Sequence, residues 1–454
     1  MERENLKSRL GFILISAGCA IGIGNVWKFP YMAGQYGGGI FVLLYLICLL
    51  FMGVPALTME FTLGRAAKKS PVLLYQQLEK PGHKWHIHGY IAMIGNYILM
   101  MFYTVVSGWM LKYLVMTAKG TFEGLSPEQI NTVHEGMLQD PWGLTLFMAI
   151  VVVIGFLVCS FGVQKGLEKV SKVMMTALLV IMLVLAINSM FLPGGGKGLE
   201  FYLKPDLAKV KEHGFINILI GAMTQAFFTL SIGIGSMAIF GSYIGKERSL
   251  MGESVNVALL DTFVAIVSGL IIFPACFAYN VNVGAGPKLL FVTLPNIFNN
   301  LPLGRVWGTL FFVFMSFAAL STIFAVFENI ISCTTDLFKI SRKKACVINC
   351  IVMFLISMPC VLGFNVLSGV KPFGAGSDIM ALEDFIVSNL LLPLGSLVFI
   401  LFGATKFGFG WDNFRKEANE GKGLKVPNFM KWYYCLVVPA IILVIFIMGL
   451  INFF

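Results

Sequence analysis

The stretch Gly18-Cys19-Ala20-Ile21-Gly22-Ile23-Gly24-Asn25 constrains this chain more than any other. It lies inside an apolar run from Leu10 to about Tyr36, long enough to cross a bilayer as a helix at roughly 20 residues per span. Closely spaced glycines weaken a helix interior, and an Asn in hydrocarbon needs a partner. Two readings fit. One is a small-residue contact between helices. The other is a span opened at its centre, with carbonyls turned toward something polar.

The same string returns. Ile21-Gly22-Ile23-Gly24 reappears as Ile232-Gly233-Ile234-Gly235, inside a second apolar run from Phe215 to about Tyr243. Asn25 flanks the first copy, and Ser231 and Ser236 flank the second. Interrupted spans in corresponding positions of two halves point to a transporter site between them.

The rest of the composition agrees with a membrane protein. Of 454 residues, 57% are hydrophobic and 12% charged, which excludes a soluble domain of this length. About eleven runs reach the ~20 residues a span needs, at approximately 10–36, 39–66, 88–118, 142–161, 168–191, 215–244, 254–281, 305–338, 345–367, 379–406 and 429–453. The first run holds Lys28 and is followed at once by another span, unlike a cleaved signal. Leu199 to His213 reads as a short surface helix. Cysteines such as Cys48, Cys276 and Cys350 lie in apolar segments and read as core packing. With the N-terminus in the cytoplasm, roughly 23 of the 33 Lys and Arg fall in inside segments, as the positive-inside rule requires. Eleven spans then put the C-terminus outside. The net charge of +10 follows from this distribution and does not indicate nucleic acid.

Polar residues inside spans are functional candidates. Span six reads Gln225-Ala-Phe-Phe-Thr229-Leu-Ser231, whose hydroxyls can equally back-bond to their own helix. Asp261 in span seven needs a cation or a proton. Ala318-Ala319-Leu320-Ser321-Thr322 in span eight suits either helix packing or a hard cation that takes oxygen ligands. Tyr103 can donate to a carboxylate or serve as an ordinary core Tyr. Glu60 and Glu328 are expected to be protonated or bonded to opened backbone.

Together, the Gly18–Pro30 stretch, Phe227-Phe-Thr-Leu-Ser-Ile-Gly-Ile-Gly235 and Ala318-Ala-Leu-Ser-Thr322 resemble the neurotransmitter:sodium symporter family, bacterial branch. The resemblance implies an all-α polytopic membrane protein with an inverted five-plus-five repeat and broken first and sixth helices. Residues 1–191 would be the first repeat, 192–406 the second, and 407–454 a cytoplasmic loop with the last span. Two sodium ions are implied. The first would meet Ala20, Asn25, Thr229 and Asp261, and the second Gly18, Ile21, Ala318, Ser321 and Thr322. The substrate carboxylate would meet Gly22, Gly24 and Tyr103, and its ammonium group Ala20, Phe228, Thr229 and Ser231. Leu99, Ile23, Phe228, Ile234, Thr322 and Val326 would line the side-chain pocket. Lys28 with Asp384 would form an outer gate, and Arg3 with Asp336, braced by Tyr243, an inner one.

The chain departs from the family pattern in places. Lys28 replaces the usual Arg, so it cannot make a bidentate fork. Leu6 replaces a Trp near the inner gate, and Ile234 an often bulky aromatic. Gly22 stands where carriers of monoamines have Asp. Chloride-dependent members hold the anion with Tyr, Gln and Ser. Here Tyr45 and Gln225 remain, but Ala265 replaces the Ser, and Asp261 stands in place of a neutral Asn. The resemblance therefore implies a chloride-independent, sodium-coupled importer of neutral aromatic or large aliphatic L-amino acids in a bacterial inner membrane, and not an enzyme. A carrier of osmolytes or methylated amines, a channel, and a non-transporting amino acid sensor are the alternatives on the same fold.

Overall fold

The computed structural model describes residues 6, 8–279 and 288–453. Its secondary structure is helical, and among these residues only an isolated bridge joins Arg248 to Lys422. Among the described residues nine helices are long and apolar enough to span: α2 (Gly39–Ala67), α3 (His86–Ala118), α4 (Pro141–Ser160), α5 (Val163–Met190), α7 (Leu250–Ala278), α8 (Gly304–Phe338), α9 (Arg342–Leu362), α10 (Ile379–Ala404) and α11 (Met430–Ile451). The pair Arg9–Ala20 and Gly24–Gln35 forms a tenth, α1, bent by 54°. The sixth apolar run is divided into Phe215–Thr229 and Ser236–Gly241, together α6. The surface helix expected over 199–213 is two helices, Gly196–Leu203 and Leu207–His213, because Pro205 cannot continue the first. A short apolar helix, Leu289–Asn299, lies between α7 and α8, where the sequence placed nothing.

Burial orders the spans. In the most apolar stretch of α8, 83% of residues are buried, against 28% in α11, so α8 runs through the centre and α11 along the edge. Val153 and Leu157 on α4, Val173 and Val180 on α5, and Ile351 and Leu355 on α9 point outward at helical spacing. An apolar outer face suits a bilayer, where water is absent. All nine cysteines are free, and seven are buried.

Both breaks have local causes. In α1 the helix stops at Ile21, which is extended (φ −73°, ψ 97°). In α6, Ser231, Gly233 and Gly235 take positive φ of 50°, 99° and 75°. The Ser231 conformation costs on the order of 1–3 kcal/mol and must be held by its surroundings. Glu60 on α2 accepts the freed Gly233 N–H at 2.5 Å, as expected for a carboxyl bonded to opened backbone. Glu328 differs from expectation. It is paired with Arg342, whose Nη1 lies 3.0 Å away, and accepts the Tyr243 hydroxyl at 2.7 Å. The turn between α8 and α9 folds Arg342 back onto it.

Outside the spans, helix Pro127–Leu138 docks through His134. Its ring stacks on Phe291 and its Nδ1 shares a hydrogen bond of 3.1 Å with the Tyr113 hydroxyl. Burial, helped by Lys288 and opposed by Glu135, lowers its pKa from about 6.5 to about 4. The docked state thus binds fewer protons than the undocked one. Its full stability is present above about pH 6.5 and is lost as pH falls toward 4. Proteolysis of residues 119–140 should therefore speed up between pH 7 and pH 5, and His134→Phe should remove that dependence. Equal cleavage rates at both pH values in the unmodified protein would contradict this.

Candidate functional site

The two breaks face each other across the middle of the molecule, and α8 lies behind the first. Ser321 Oγ donates to the Ile21 carbonyl (3.0 Å) and the Ala318 carbonyl (2.8 Å). Thr322 Oγ1 lies 3.4 Å from the Gly18 and Ile21 carbonyls and 3.3 Å from that of Cys19. All five oxygens assigned to the second sodium ion from the sequence are thus within one small region. The set is neutral and made only of oxygen, which suits a hard cation. The Cys19 carbonyl was not foreseen.

The first set centres on Asp261, which is completely buried. Asn25 Nδ2 donates to its Oδ1 at 2.8 Å and to its carbonyl at 3.1 Å. Thr229 Oγ1 lies 3.0 Å from Oδ2, and the Tyr45 hydroxyl 3.4 Å. Asn25 Oδ1 accepts the Gly22 N–H at 3.2 Å, which ties this set to the break in α1. Among the described residues, no Lys or Arg forms an ion pair with Asp261. A buried carboxylate with only neutral donors lacks a countercharge, and a small cation fits that need. Gln225 donates to the Gly24 carbonyl at 2.9 Å, while its own side-chain oxygen is buried without a partner.

Between the two sets is a small cavity. Ala20, Gly22, Gly24, Tyr103, Ser231 and Thr322 give it a polar side. Leu99, Phe228 and Leu392 give it an apolar one. Tyr103 accepts the Ile23 N–H at 2.9 Å, so its own O–H remains to donate to a ligand. A side chain at Gly22 would run into the hydroxyls of Tyr103 and Thr322. Ser231 donates to the Cys19 carbonyl at 3.1 Å, which joins the two breaks directly.

Three residues expected in the side-chain pocket, Ile234, Val326 and Ile23, are not among those that line the small cavity. Ile234 does not line this cavity. The left-handed turns at Gly233 and Gly235 set its side chain against Gly95 of α3, and its carbonyl accepts Asn96 at 2.8 Å. Val326 is fully buried but does not line the cavity either, being one turn beyond Thr322 on α8. Ile23 lines a larger vestibule instead. The Thr229 hydroxyl points to Asp261, beside Asn25. Leu392 was not foreseen.

The vestibule shares Tyr103 and Phe228 with the cavity, so these two residues stand between them. Lys28 bridges it, with Nζ 3.2 Å from Asp384 and 3.1 Å from Ser388. The same ammonium sits 4.0 Å from the Phe228 ring centroid, a cation–π contact that fixes the ring. Asp384→Asn should loosen this closure and raise the exchange rate of bound substrate more than it changes sodium affinity. Equal effects on both would argue against a gate.

At the other end, Arg3 lies outside the described residues. Asp336 accepts the Ser70 N–H at 2.9 Å, and Tyr243 bonds Glu328 and, at 2.8 Å, Ser332. The Leu6 N–H reaches the Tyr243 carbonyl at 3.2 Å. Two further ties were not read from the sequence: Arg9 to Glu253 at 2.9 Å, and Ser8 to Glu168, which also pairs with Lys172. Their only signal was a charge near an apolar run, which spacing alone cannot pair.

Comparison with known proteins agrees with this arrangement. Residues 3–123 and 127–454 match the Sodium:neurotransmitter symporter family. The chain is 34% identical over 452 residues to the uncharacterized sodium-dependent transporter YhdH of Bacillus subtilis, covering 98% of each. It is 24% identical to the sodium- and chloride-dependent taurine transporter of Canis lupus familiaris, covering 100% of this chain and 79% of that one. The crystal structure of MhsT in complex with L-phenylalanine superposes with a TM-score of 0.88 at 34% identity, over 98% of this chain and 99% of MhsT. The chain is therefore a multi-pass membrane protein belonging to the Sodium:neurotransmitter symporter family, a family of transporters.

Proposed function

We propose that this protein imports neutral hydrophobic L-amino acids with sodium and without chloride. The observation that carries this reading is the two-sided cavity. Its polar side offers a phenol and opened main chain beside Asp261, and its apolar side offers Leu99, Phe228 and Leu392. A carboxylate bound near Tyr103 would share charge with sodium at the first site. Because Gly22 has no room for a side chain, no fixed anion there can replace that carboxylate. A substrate lacking a carboxylate would leave the sodium short of a ligand, which disfavours amines. The complex of MhsT with L-phenylalanine supports the same class.

Residues 1–191 and 192–406 act in this reading as the two inverted halves, with 407–454 added at the edge. The N-terminus lies in the cytoplasm of a bacterial inner membrane and the vestibule opens outward. Two sodium ions are carried, one at each oxygen set. Asp261 supplies the charge that an anion would otherwise supply.

Binding of each amino acid to purified protein, with sodium or with potassium, tests the reading. Phenylalanine, leucine or a similar residue should bind only in sodium. Tyr103→Phe should weaken that binding about 10- to 100-fold, as loss of a hydrogen bond to a charged group does. Sodium-dependent binding of taurine or a methylated amine, with no amino acid bound, would overturn it.

A further inference from the structure

The second half of α6, Ser236–Gly241, is held in two different ways. Toward α2 the contact is backbone on backbone. A Cβ at Gly64 of α2 would run into the Ala238 carbonyl, and one at Gly241 into the Phe61 carbonyl. Backbones that approach so closely pack as one body. Toward α3 and α8 the contact is a buried knot of amides. Asn96 on α3 donates to the Ile234 carbonyl at 2.8 Å and, within its own helix, to the Ala92 carbonyl at 2.7 Å. Its Oδ1 accepts the Ser236 hydroxyl at 3.0 Å and Nδ2 of Asn329 at 3.1 Å. Both N–H groups and both lone pairs of the Asn96 amide are thus used. Asn96, Ser236 and Asn329 are each no more than 1% exposed.

In the orientation proposed above, the knot stands on the cytoplasmic side of the site. Asn96 precedes Tyr103 by seven residues on α3, and Asn329 follows Thr322 by seven on α8. Seven residues are close to two turns, so each amide shares a helix face with its site residue and lies about 10 Å deeper. A seam closed by apolar packing parts only by exposing apolar surface to water. A seam closed by hydrogen bonds can exchange each of them for one to water. It is firm while dry and separable once water enters.

We propose that Asn96 is a positioning residue for transport. Through Ser236 and Asn329 it latches the joined α2 and second half of α6 to α3 and α8, and this seam parts when the site opens to the cytoplasm. The inference rests on the orientation proposed above.

Cys333, one turn beyond Asn329 on α8, reports the seam. It is buried, and its thiol donates to Asn329 Oδ1 at 3.7 Å. The test is labelling of Cys333 in sodium by a charged, water-soluble thiol reagent, read by mass spectrometry of its peptide. It uses the full chain in inside-out vesicles and in intact cells. In inside-out vesicles Asn96→Ala should speed labelling about tenfold or more, since it leaves buried partners unpaired. Ser236→Ala removes a single bond and should speed it about threefold. That variant reads the same seam if the first fails to fold. Cys276 and Cys360, fully buried near the other ends of α7 and α9, should keep their rates. Unchanged Cys333 rates in both variants would overturn the inference alone. So would an equal rise at Cys276 and Cys360, which marks general loosening. Faster labelling of wild-type Cys333 in intact cells than in inside-out vesicles would overturn the orientation beneath it and the inference with it.

Discussion

Asp261→Asn should reduce sodium-driven uptake at least about a hundredfold, the largest loss expected from any single substitution here. Asn25, Thr229 and Tyr45 surround the Asp261 carboxylate with neutral donors, at 2.8, 3.0 and 3.4 Å. Their dipoles stabilise a negative charge but supply none. A sodium ion bound in this buried place would meet a full countercharge from the protein only at Asp261. Removing it leaves an unpaired buried cation, which is strongly disfavoured. The loss should show as lower sodium affinity, while the chain still folds, because Asn keeps the size and most hydrogen bonds of Asp.

The same substitution has a designed rescue. Tyr45 and Gln225 are the two donors that the chloride-dependent pattern would supply, and Ala265, one turn after Asp261, is the missing third. Asp261→Asn combined with Ala265→Ser should recover part of the uptake in chloride and none in gluconate. Chloride-independent recovery would show that Asp261 does not act as the countercharge. Strong chloride dependence of the unmodified protein would show the same.

The second large effect is expected at the other oxygen set. Ser321→Ala with Thr322→Val removes two of the five oxygens gathered around the α1 break. The changes are close to isosteric, so packing against Gly18 and Ile21 should survive. What is lost is coordination, and a hard cation cannot accept methyl groups in its place. Uptake should fall below about 1% of wild type, and thermal stabilisation by sodium should shrink by at least half. Wild-type uptake in the double variant would remove this site from the mechanism.

Much of this was legible before the structure because opened spans need unusual residues. Glycines that weaken a helix, repeated as Ile-Gly-Ile-Gly, located both breaks. Adjacent hydroxyls at Ser321 and Thr322, and a carboxylate deep in α7, located the oxygen sets. These signals are chemical and stand out in an apolar chain. Leu392 gave no signal, since a leucine in an apolar helix is the commonest thing there. Its place beside the cavity comes from how closely α10 approaches α6, which Gly233 and Gly395 permit but do not announce. The contact of Ile234 with Gly95 was hidden for a related reason. Positive φ on both sides of it turned the side chain toward Gly95, and helical spacing does not describe such a segment. The pairing of Glu328 with Arg342 was also hidden, because a turn decides which charges meet. Helix Leu289–Asn299 was too short to register as a span.

Counterflow of labelled L-phenylalanine into proteoliposomes tests the central claim most directly. Vesicles loaded with unlabelled phenylalanine should accumulate label when sodium is present, and replacing chloride with gluconate should not change the rate. Accumulation should vanish in potassium. A carrier working by alternating access predicts this pattern. Accumulation that persists without sodium, or sodium-dependent binding with no accumulation at all, would contradict it.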